Sequence, residues 1–252
     1  MKAEKEMTNL ARAGLIPFVF PGVPNVLCAF GSALSGDIRL GGGSDDDEKA
    51  CAKRRAMLAA AGLERWVELD QIHEDGFIVS PTPTPLEFPS TLRADGACNR
   101  EKDLALLIKS ADCQPLFLAL ADGSAVAALH VGWRGNTFNY PAIGLKRFCE
   151  TCKAAPGDVR AVRGPSLGPK SSEFINFATE WPPACHHLFD RTDYTIDLWQ
   201  LTHTQLVTAG MKDKHIFALD LCTQSLPGLL FSYRRGDTAR QGSMIWIRGD
   251  KA

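Results

Sequence analysis

The chain has 252 residues, of which 45% are apolar, and a formal net charge of −1 at pH 7. This length and composition suit a single domain over residues 1–252, in which residues 1–25 are an N-terminal extension of the same unit. Acidic and basic residues are mixed along the whole chain, so a basic surface for nucleic acid is not expected.

Short apolar runs rich in Val, Ile, Leu and Phe predict that β-sheet dominates the fold. In chain order these runs are FVF, VLCAF, WVELDQI, FIVS, LALLIKS, PLFLALA, AVAALHV, VRAVRG, IFAL, LLFSYRR and SMIWIRG. Each is bounded by polar, glycine or proline residues, which is typical of short strands.

Three helices have marked ends in the sequence. The first is predicted over residues 45–62, because it opens with three aspartates that suit the helix dipole and stops at a glycine. Pro141 suits the first turn of the second helix, and Asp197 is expected to cap the third. Since these helices lie between groups of strands and do not alternate with them, we predict an α+β fold with mixed sheets.

The apolar runs and the cysteines bear on cellular location. The N-terminal run Ile16–Phe20 is too short for a signal peptide, and nothing approaches the eighteen or so apolar residues of a membrane span. The eight cysteines lack the spacing of a disulfide framework. We therefore expect a cytoplasmic protein with reduced thiols and no membrane partner.

A cysteine and a histidine lie at the two ends of one predicted hairpin. Cys113 precedes PLFLALA, His130 ends AVAALHV, and a turn at residues 121–123 would place the two side chains opposite one another. His73, after WVELDQI, adds a second imidazole if its strand is adjacent. Such a Cys-His-His set suits zinc with one open position, although spacing alone also fits three core residues.

Several longer blocks resemble one protein family. The blocks are DQIH (70–73), RADG (93–96), SADCQPLFL (110–118), LHVGWRG (129–135), RGPSLGP (163–169), CT (222–223) and FSYRRGDTAR (231–240). In this order they resemble the multicopper polyphenol oxidase, or laccase-domain, family, whose members are regarded as purine nucleoside phosphorylases with added adenosine deaminase activity. The resemblance implies an α+β sandwich of mixed β-sheets flanked by helices. It also implies that His73, Cys113 and His130 are the metal ligands.

Zinc suits this trio better than copper. A multicopper cluster needs many imidazoles, and the chain has six histidines, two of them adjacent. A single copper bound by two histidines and a cysteine is the alternative, but the sequence places no methionine nearby as the usual weak axial ligand. The expected cofactor is therefore zinc.

The resemblance predicts a zinc-dependent purine nucleoside phosphorylase with adenosine deaminase side activity, acting as a monomer or homodimer on adenosine- or inosine-type nucleosides and phosphate. Zinc lowers the pKa of a bound water toward about 7, which serves deamination. Phosphorolysis also needs cations for phosphate and an acid near the base. The residues expected to act in catalysis are Cys113, Asp112 and Arg240, and those expected to bind substrate are Gln71, Asp95, Arg134 and Arg39.

Two of these assignments have specific reasons. Gln71 lies two residues from His73 on the same side of the predicted strand, so both side chains would reach one pocket. Arg39 is chosen because the chain departs from the family pattern nearby. The family has a Thr-Ser-Arg-like triplet where residues 32–34 of this chain contain no arginine. We expect Arg39 to supply the missing cation. Asp112 has an alternative role, in which it does not act on the substrate but orients one of the metal ligands.

Two other functions fit the same residues. With Cys113 as nucleophile and His130 as base, the chain would be a metal-independent cysteine hydrolase that cleaves amides, for example in cell-wall precursors. Without the family arginine, it would be a non-catalytic nucleoside-binding module. A chelator separates the zinc enzyme from the thiol hydrolase, and turnover separates both from the binding module.

Overall fold

The computed structural model describes residues 2–249, so residues 1 and 250–252 of the predicted domain lie outside the described part. The strands are β1 (Leu15–Val19), β2 (Val26–Gly31), β3 (Arg65–Glu68), β4 (Phe77–Val79), β5 (Gly96–Asn99), β6 (Leu104–Ser110), β7 (Gln114–Leu120), β8 (Val126–Val131), β9 (Val159–Arg163), β10 (Ile216–Ala218) and β11 (Gln241–Ile247). The α-helices are α1 (Lys2–Arg12), α2 (Ser44–Ala60), α3 (Trp133–Thr137), α4 (Tyr140–Cys152), α5 (Phe177–Glu180) and α6 (Leu198–Thr208). Short 3-10 turns cover Ala33–Ser35, Pro156–Asp158, Pro169–Ser171, Pro183–Leu188 and Asp213–His215.

The strands form two mixed sheets. Sheet I has the order β1-β2-β11-β6-β3, and sheet II has the order β10-β9-β7-β8-β5-β4. Neighbouring strands are antiparallel except for three parallel pairs, β3 with β6, β10 with β9, and β4 with β5. The predicted α+β class with mixed sheets is confirmed.

The sheets pack face to face and helices cover both outer sides. Alternate residues of each strand point inward, so that Phe30 of sheet I stacks on Phe117 of sheet II with ring centroids 5.2 Å apart. Outside sheet I, Met57 of α2 packs with Trp246 and with Leu10 of α1. Outside sheet II, α4 and α6 cover the remaining apolar faces. Because β1 pairs with β2, the N-terminal segment lies on sheet I.

The strand predictions mostly hold, with one run wrong and one strand missed. Residues 229–235 (LLFSYRR) form turns and loop, which the Arg235 side chain of the run stabilises by donating to the carbonyls of Thr223 (2.8 Å) and Gln224 (3.0 Å). β5, with the sequence GACN, lacks an apolar run and was not predicted, yet it pairs with β8 and is buried.

The helix predictions are close to the observed ends. α2 covers nearly all of the predicted residues 45–62, Pro141 lies in the first turn of α4, and the Asp197 carboxylate accepts from the Gln200 N–H at 2.9 Å at the start of α6. All eight cysteines have free thiols. Among residues 2–249, no helix combines the length and apolar composition that a bilayer span needs.

Candidate metal centre and substrate cleft

The three predicted ligands converge at one end of the sandwich, where β6 and β8 end and β7 begins. The donor atoms of His73, Cys113 and His130 all lie within 4.8 Å of one another, and no other such group occurs within residues 2–249. Cys113 Sγ lies 3.9 Å from His73 Nε2, close to the roughly 3.5 Å expected between two ligands of one tetrahedral zinc ion. The sequence-distant trio is therefore a structural cluster.

The hairpin brings Cys113 and His130 together in a slightly different register from the predicted one. The turn at 121–123 is present, with the Gly123 N–H donating to the Leu120 carbonyl at 2.9 Å. The residue opposite His130 is Pro115, so Cys113 is a diagonal neighbour of His130, two residues out of the predicted register. Because strand side chains alternate with a period of two, both residues still face the same side.

His73 reaches the site from a loop. Its predicted strand stops at Glu68, and His73 has a φ of 61° in the left-handed region. The backbone N–H groups of Ile72, His73 and Glu74 all donate to the Asp95 carboxylate, at 3.2, 3.0 and 2.7 Å. These three hydrogen bonds stabilise a backbone conformation that is otherwise unfavourable for a residue with a side chain.

Asp95 also orients the second histidine. Its carboxylate lies 2.7 Å from His130 Nδ1 and is fully buried. With Nδ1 donating to this carboxylate, His130 Nε2 is the ring nitrogen that can ligate a metal once it is deprotonated. Burial alone would raise the pKa of Asp95, but the His130 contact and the backbone N–H groups hold it below its ordinary value.

Electrostatics within the trio favours a thiolate. Burial alone would raise the pKa of the Cys113 thiol, but the neighbouring His130 and His73 lower it to about 6. Burial would likewise lower the pKa of His130, and the Cys113 and Asp95 charges instead raise it to about 9. Since thiolate is the form that ligates metals and attacks electrophiles, Cys113 is prepared for either role near neutral pH.

Alkylation of the metal-free protein tests this pKa directly. The Cys113 thiolate is present above its pKa and lost below it, so the iodoacetamide rate at Cys113 should rise to half its maximum near pH 6, well below the roughly 8.5 of a free cysteine. Mass spectrometry of the labelled peptides measures it. Cys98 and Cys149, whose burial raises their pKa to about 11, are internal controls that should stay unlabelled at pH 7. A half-maximal alkylation rate near the pKa of a free cysteine would show that the two histidines do not lower the Cys113 pKa.

Gly132 leaves room for an ion beside the trio. A Cβ atom there would lie 3.1 Å from Cys113 Sγ and 3.2 Å from His73 Cδ2. A side chain at this position would therefore occupy the space between the donor atoms. Together with two imidazoles and one thiolate, this space fits a single metal ion. Sequence reasoning missed Gly132, although its place in HVGWRG directly after a ligand strand was a usable signal.

Replacing Asp95 with asparagine should weaken metal binding without touching a ligand. Asparagine carries no charge and presents an amide N–H toward groups that are themselves donors, so the His130 tautomer and the His73 loop lose their support. Zinc affinity should fall by about 10- to 100-fold, as is usual for such outer partners, measured by competition with a chromogenic chelator. Asp122→Asn, in the turn of the same hairpin, is the control. Equal zinc affinity in Asp95→Asn and the unmodified protein would contradict this role.

A cleft of about 570 Å³ opens directly beside the trio. It is rich in positive charge: its lining cations are Arg39, Lys109, Arg134, Arg234 and Arg240, against the two acids Asp70 and Asp112. Three aromatic side chains, Trp133, Phe174 and Tyr233, also line it. The cleft therefore combines cations for an anionic group with flat apolar surface for a ring.

The predicted arginines all line this cleft. Arg39 and Arg240 are neighbours, because both backbone N–H groups donate to the same Asp37 oxygen at 2.9 Å. Arg134 is exposed and stacks over the Trp133 ring with its guanidinium carbon 4.4 Å from the centroid. The cation that residues 32–34 do not supply is thus available beside Arg240, although its role in binding stays a prediction.

Gln71 and Asp112 line the cleft but use their polar atoms within the protein. The Gln71 amide bonds both the N–H and the carbonyl of Lys109, each at 2.8 Å. The Asp112 carboxylate accepts from the Thr223 hydroxyl and from the Arg234 N–H, each at 2.6 Å. Asp112 also has a φ of 94°. Asp95, by contrast, is not among the residues that line the cleft, and it contacts the His130 ring and the His73 backbone. The predicted substrate and catalytic roles of these three residues remain predictions.

Sequence reasoning missed two cleft cations. Arg234 donates to the Glu173 carbonyl at 2.7 Å and lies over the Phe174 ring at 5.5 Å. It belongs to the block FSYRRGDTAR, from which only Arg240 was chosen, so the signal was present. Lys109 lies at the end of an apolar strand run, and nothing in its sequence context distinguishes it from a solvent-exposed lysine.

The chain is similar in sequence to bacterial proteins that are named purine nucleoside phosphorylase. It is 30% identical over 201 residues to the purine nucleoside phosphorylase YlmD of Bacillus subtilis, covering 74% of this chain and 72% of that protein. It is 28% identical over 202 residues to the purine nucleoside phosphorylase YfiH of Escherichia coli, covering 77% of this chain and 79% of that protein.

The fold matches as well. The crystal structure of the Bacillus licheniformis hypothetical protein YfiH superposes with a TM-score of 0.78 at 22% identity, covering 88% of this chain and 93% of that one. The family model described as multi-copper polyphenol oxidoreductase laccase matches residues 32–248, which include the metal trio and every cation of the cleft. The chain therefore belongs to the multi-copper polyphenol oxidoreductase laccase family.

Proposed function

We propose that this protein is a zinc-dependent purine nucleoside phosphorylase with adenosine deaminase side activity. The observation that carries the proposal is the position of the His-Cys-His cluster at one side of a cleft rich in cations and aromatic rings. The cleft volume lies within the usual range for small-molecule sites. The names of the curated relatives support the same substrates, a purine nucleoside and phosphate.

His73, Cys113 and His130 would hold the metal. When bound, a zinc ion supplies Lewis-acid activation of a water molecule or a substrate atom. Zinc is favoured over copper because none of the described residues that line the cleft is a methionine that would serve as the axial ligand of a copper site. Asp95 holds the two histidines in position through its hydrogen bonds, so we assign it to positioning.

The remaining cleft residues divide between the two substrates. Arg39 and Arg240, whose backbone N–H groups bind the same Asp37 oxygen, supply positive charge for phosphate and for the charge that develops on it. Trp133, Phe174 and Tyr233 supply faces on which a purine ring can stack. Asp112 fixes the backbone of Arg234 and thereby the loop that carries Tyr233 and Arg240.

Location and assembly follow the same reasoning. Eight free thiols and a thiolate-forming site suit a reducing compartment, so we place the protein in the cytoplasm. A monomer or homodimer is the expected state in solution.

Product analysis tests the proposal. Purified zinc-loaded protein is incubated with inosine or adenosine, with and without phosphate, and the products are separated by chromatography. Free base and ribose 1-phosphate should form only when phosphate is present, whereas adenosine should convert to inosine without it. A chelator should suppress both. Base release that is independent of phosphate, or no release from any purine nucleoside, would contradict the phosphorylase.

One observation favours a second function. Cys113, His130 and Asp95 lie in the order nucleophile, base and orienting carboxylate, with the Cys113 pKa lowered to about 6. This arrangement suits a metal-independent cysteine hydrolase of amides. The test is hydrolysis of amide-containing cell-wall precursors by chelator-treated protein, which should proceed under this alternative and stop after alkylation of Cys113. A protein that turns over neither class of substrate would be a nucleoside-binding module.

A further inference from the structure

A buried charge cluster lies against one wall of the cleft. Arg54 and Glu68 have fully buried side chains and form a double contact, Nη1 to Oε2 at 2.8 Å and Nη2 to Oε1 at 3.0 Å. The Lys109 ammonium group binds the same Glu68 carboxylate, and its side chain is 23% exposed. The cluster therefore contains two cations and one anion.

Lys109 supplies the positive charge that exceeds the negative charge of this cluster. A guanidinium that contacts both carboxylate oxygens already neutralises Glu68, so the Lys109 charge has no anion of its own within the cluster. Leaving a partly desolvated charge without a counter-ion is costly. Lys109 lines the cleft, where an anionic ligand would supply the missing charge.

The main chain of Lys109 is also held in place. Both main-chain polar groups of Lys109 are bound by the Gln71 amide at 2.8 Å.

We infer that the Lys109 ammonium group is an oxyanion subsite of the cleft and binds the phosphate co-substrate directly. The inference rests on the proposed function, since it adds a third cation to Arg39 and Arg240 as a contact of phosphate. A lysine serves this purpose as a point charge with three donors.

Inorganic phosphate is the probe, and calorimetric titration of the full-length protein without nucleoside is the measurement. Lys109→Met removes the charge at similar length and leaves the neutral Arg54–Glu68 pair intact, so the fold should persist. Its phosphate Kd should rise by at least about tenfold. Lys109→Arg keeps the charge and should stay within about threefold of the unmodified protein. Lys49→Met, which removes an exposed lysine that pairs with Asp46 outside the cleft, is the matched control.

Turnover kinetics give a second measurement, which would not change selectively if Lys109 only stabilised the fold. In Lys109→Met, the KM for phosphate should rise while the KM for inosine stays unchanged. Unchanged phosphate binding in Lys109→Met would overturn the inference, as would equal loss in Lys109→Met and Lys109→Arg together with a lowered unfolding midpoint. If the unmodified protein binds phosphate through Lys109 but cleaves no nucleoside, the proposed function fails and the subsite stands. If it binds no phosphate, the subsite is wrong.

Discussion

A Cys113→Ser variant is expected to lose both bound zinc and nucleoside turnover. Cys113 is the sole sulfur donor of the trio and the ligand that carries negative charge near neutral pH, because its pKa is lowered to about 6. A serine hydroxyl stays protonated there and is a much poorer zinc ligand. We expect kcat/KM for inosine to fall by about 10³-fold or more, which corresponds to about 4 kcal/mol of transition-state stabilisation.

Metal content and kinetics are measured on the same preparation. Elemental analysis gives zinc per chain, and base release gives kcat/KM. Cys152→Ser is the control, since Cys152 is a half-buried cysteine on α4 away from the cleft. A Cys113→Ser protein that retains stoichiometric zinc would show that the trio is not the metal site. One that retains turnover would remove Cys113 from the mechanism.

The largest expected loss of stability comes from Arg54→Met. Arg54 binds Glu68 through two contacts, donates from Nε to the Ile38 carbonyl at 2.8 Å, and also donates to the Leu86 carbonyl at 3.1 Å. Methionine fills part of the space but leaves a fully buried carboxylate with Lys109 alone. Breaking a buried pair in this way should lower the free energy of unfolding by about 3 kcal/mol or more.

Thermal unfolding followed by circular dichroism measures this effect. For a chain of this size the midpoint should fall by at least about 6 °C. The adjacent Arg55→Met is a close control, because Arg55 makes an ion pair of similar length with Glu87, at 2.7 Å, on the surface. Water screens that pair, so its loss should leave the midpoint nearly unchanged. Equal shifts of the unfolding midpoint in the two variants would mean that burial does not determine how much the Arg54–Glu68 pair stabilises the fold.

The sequence predicted the layered fold because strand residues alternate. Runs such as LALLIKS and PLFLALA are buried on both faces, since helices cover the outer sides of both sheets, and this makes them continuous and easy to recognise. β5 carries the same burial with glycine, alanine, cysteine and asparagine, so composition gave no sign of it. LLFSYRR is apolar and aromatic, but its own Arg235 side chain donates to the Thr223 carbonyl, a contact outside the run that no local pattern contains.

The clustering of the three predicted ligands could be predicted from the sequence, and the contacts that support them could not. His73, Cys113 and His130 were identified from the motifs that contain them. The positive φ of His73 and the convergence of three N–H groups on Asp95 depend on a loop meeting the residue that precedes β5, more than twenty positions away in the sequence. Lys109 is distinguished only by its contact with Glu68, which lies on another strand. Such contacts follow from topology, so they appear only in three dimensions.

The three side chains of the trio come from the hairpin of sheet II and from the loop that joins the two sheets. His73 lies between β3 of sheet I and β4 of sheet II, whereas Cys113 and His130 lie at the ends of the sheet II hairpin. An ion held by the trio would therefore tie this connecting loop to the hairpin at the end of the sandwich where the cleft opens. Metal loading would then raise resistance to unfolding, since an ion that binds only the folded chain stabilises it in proportion to the logarithm of the ion concentration.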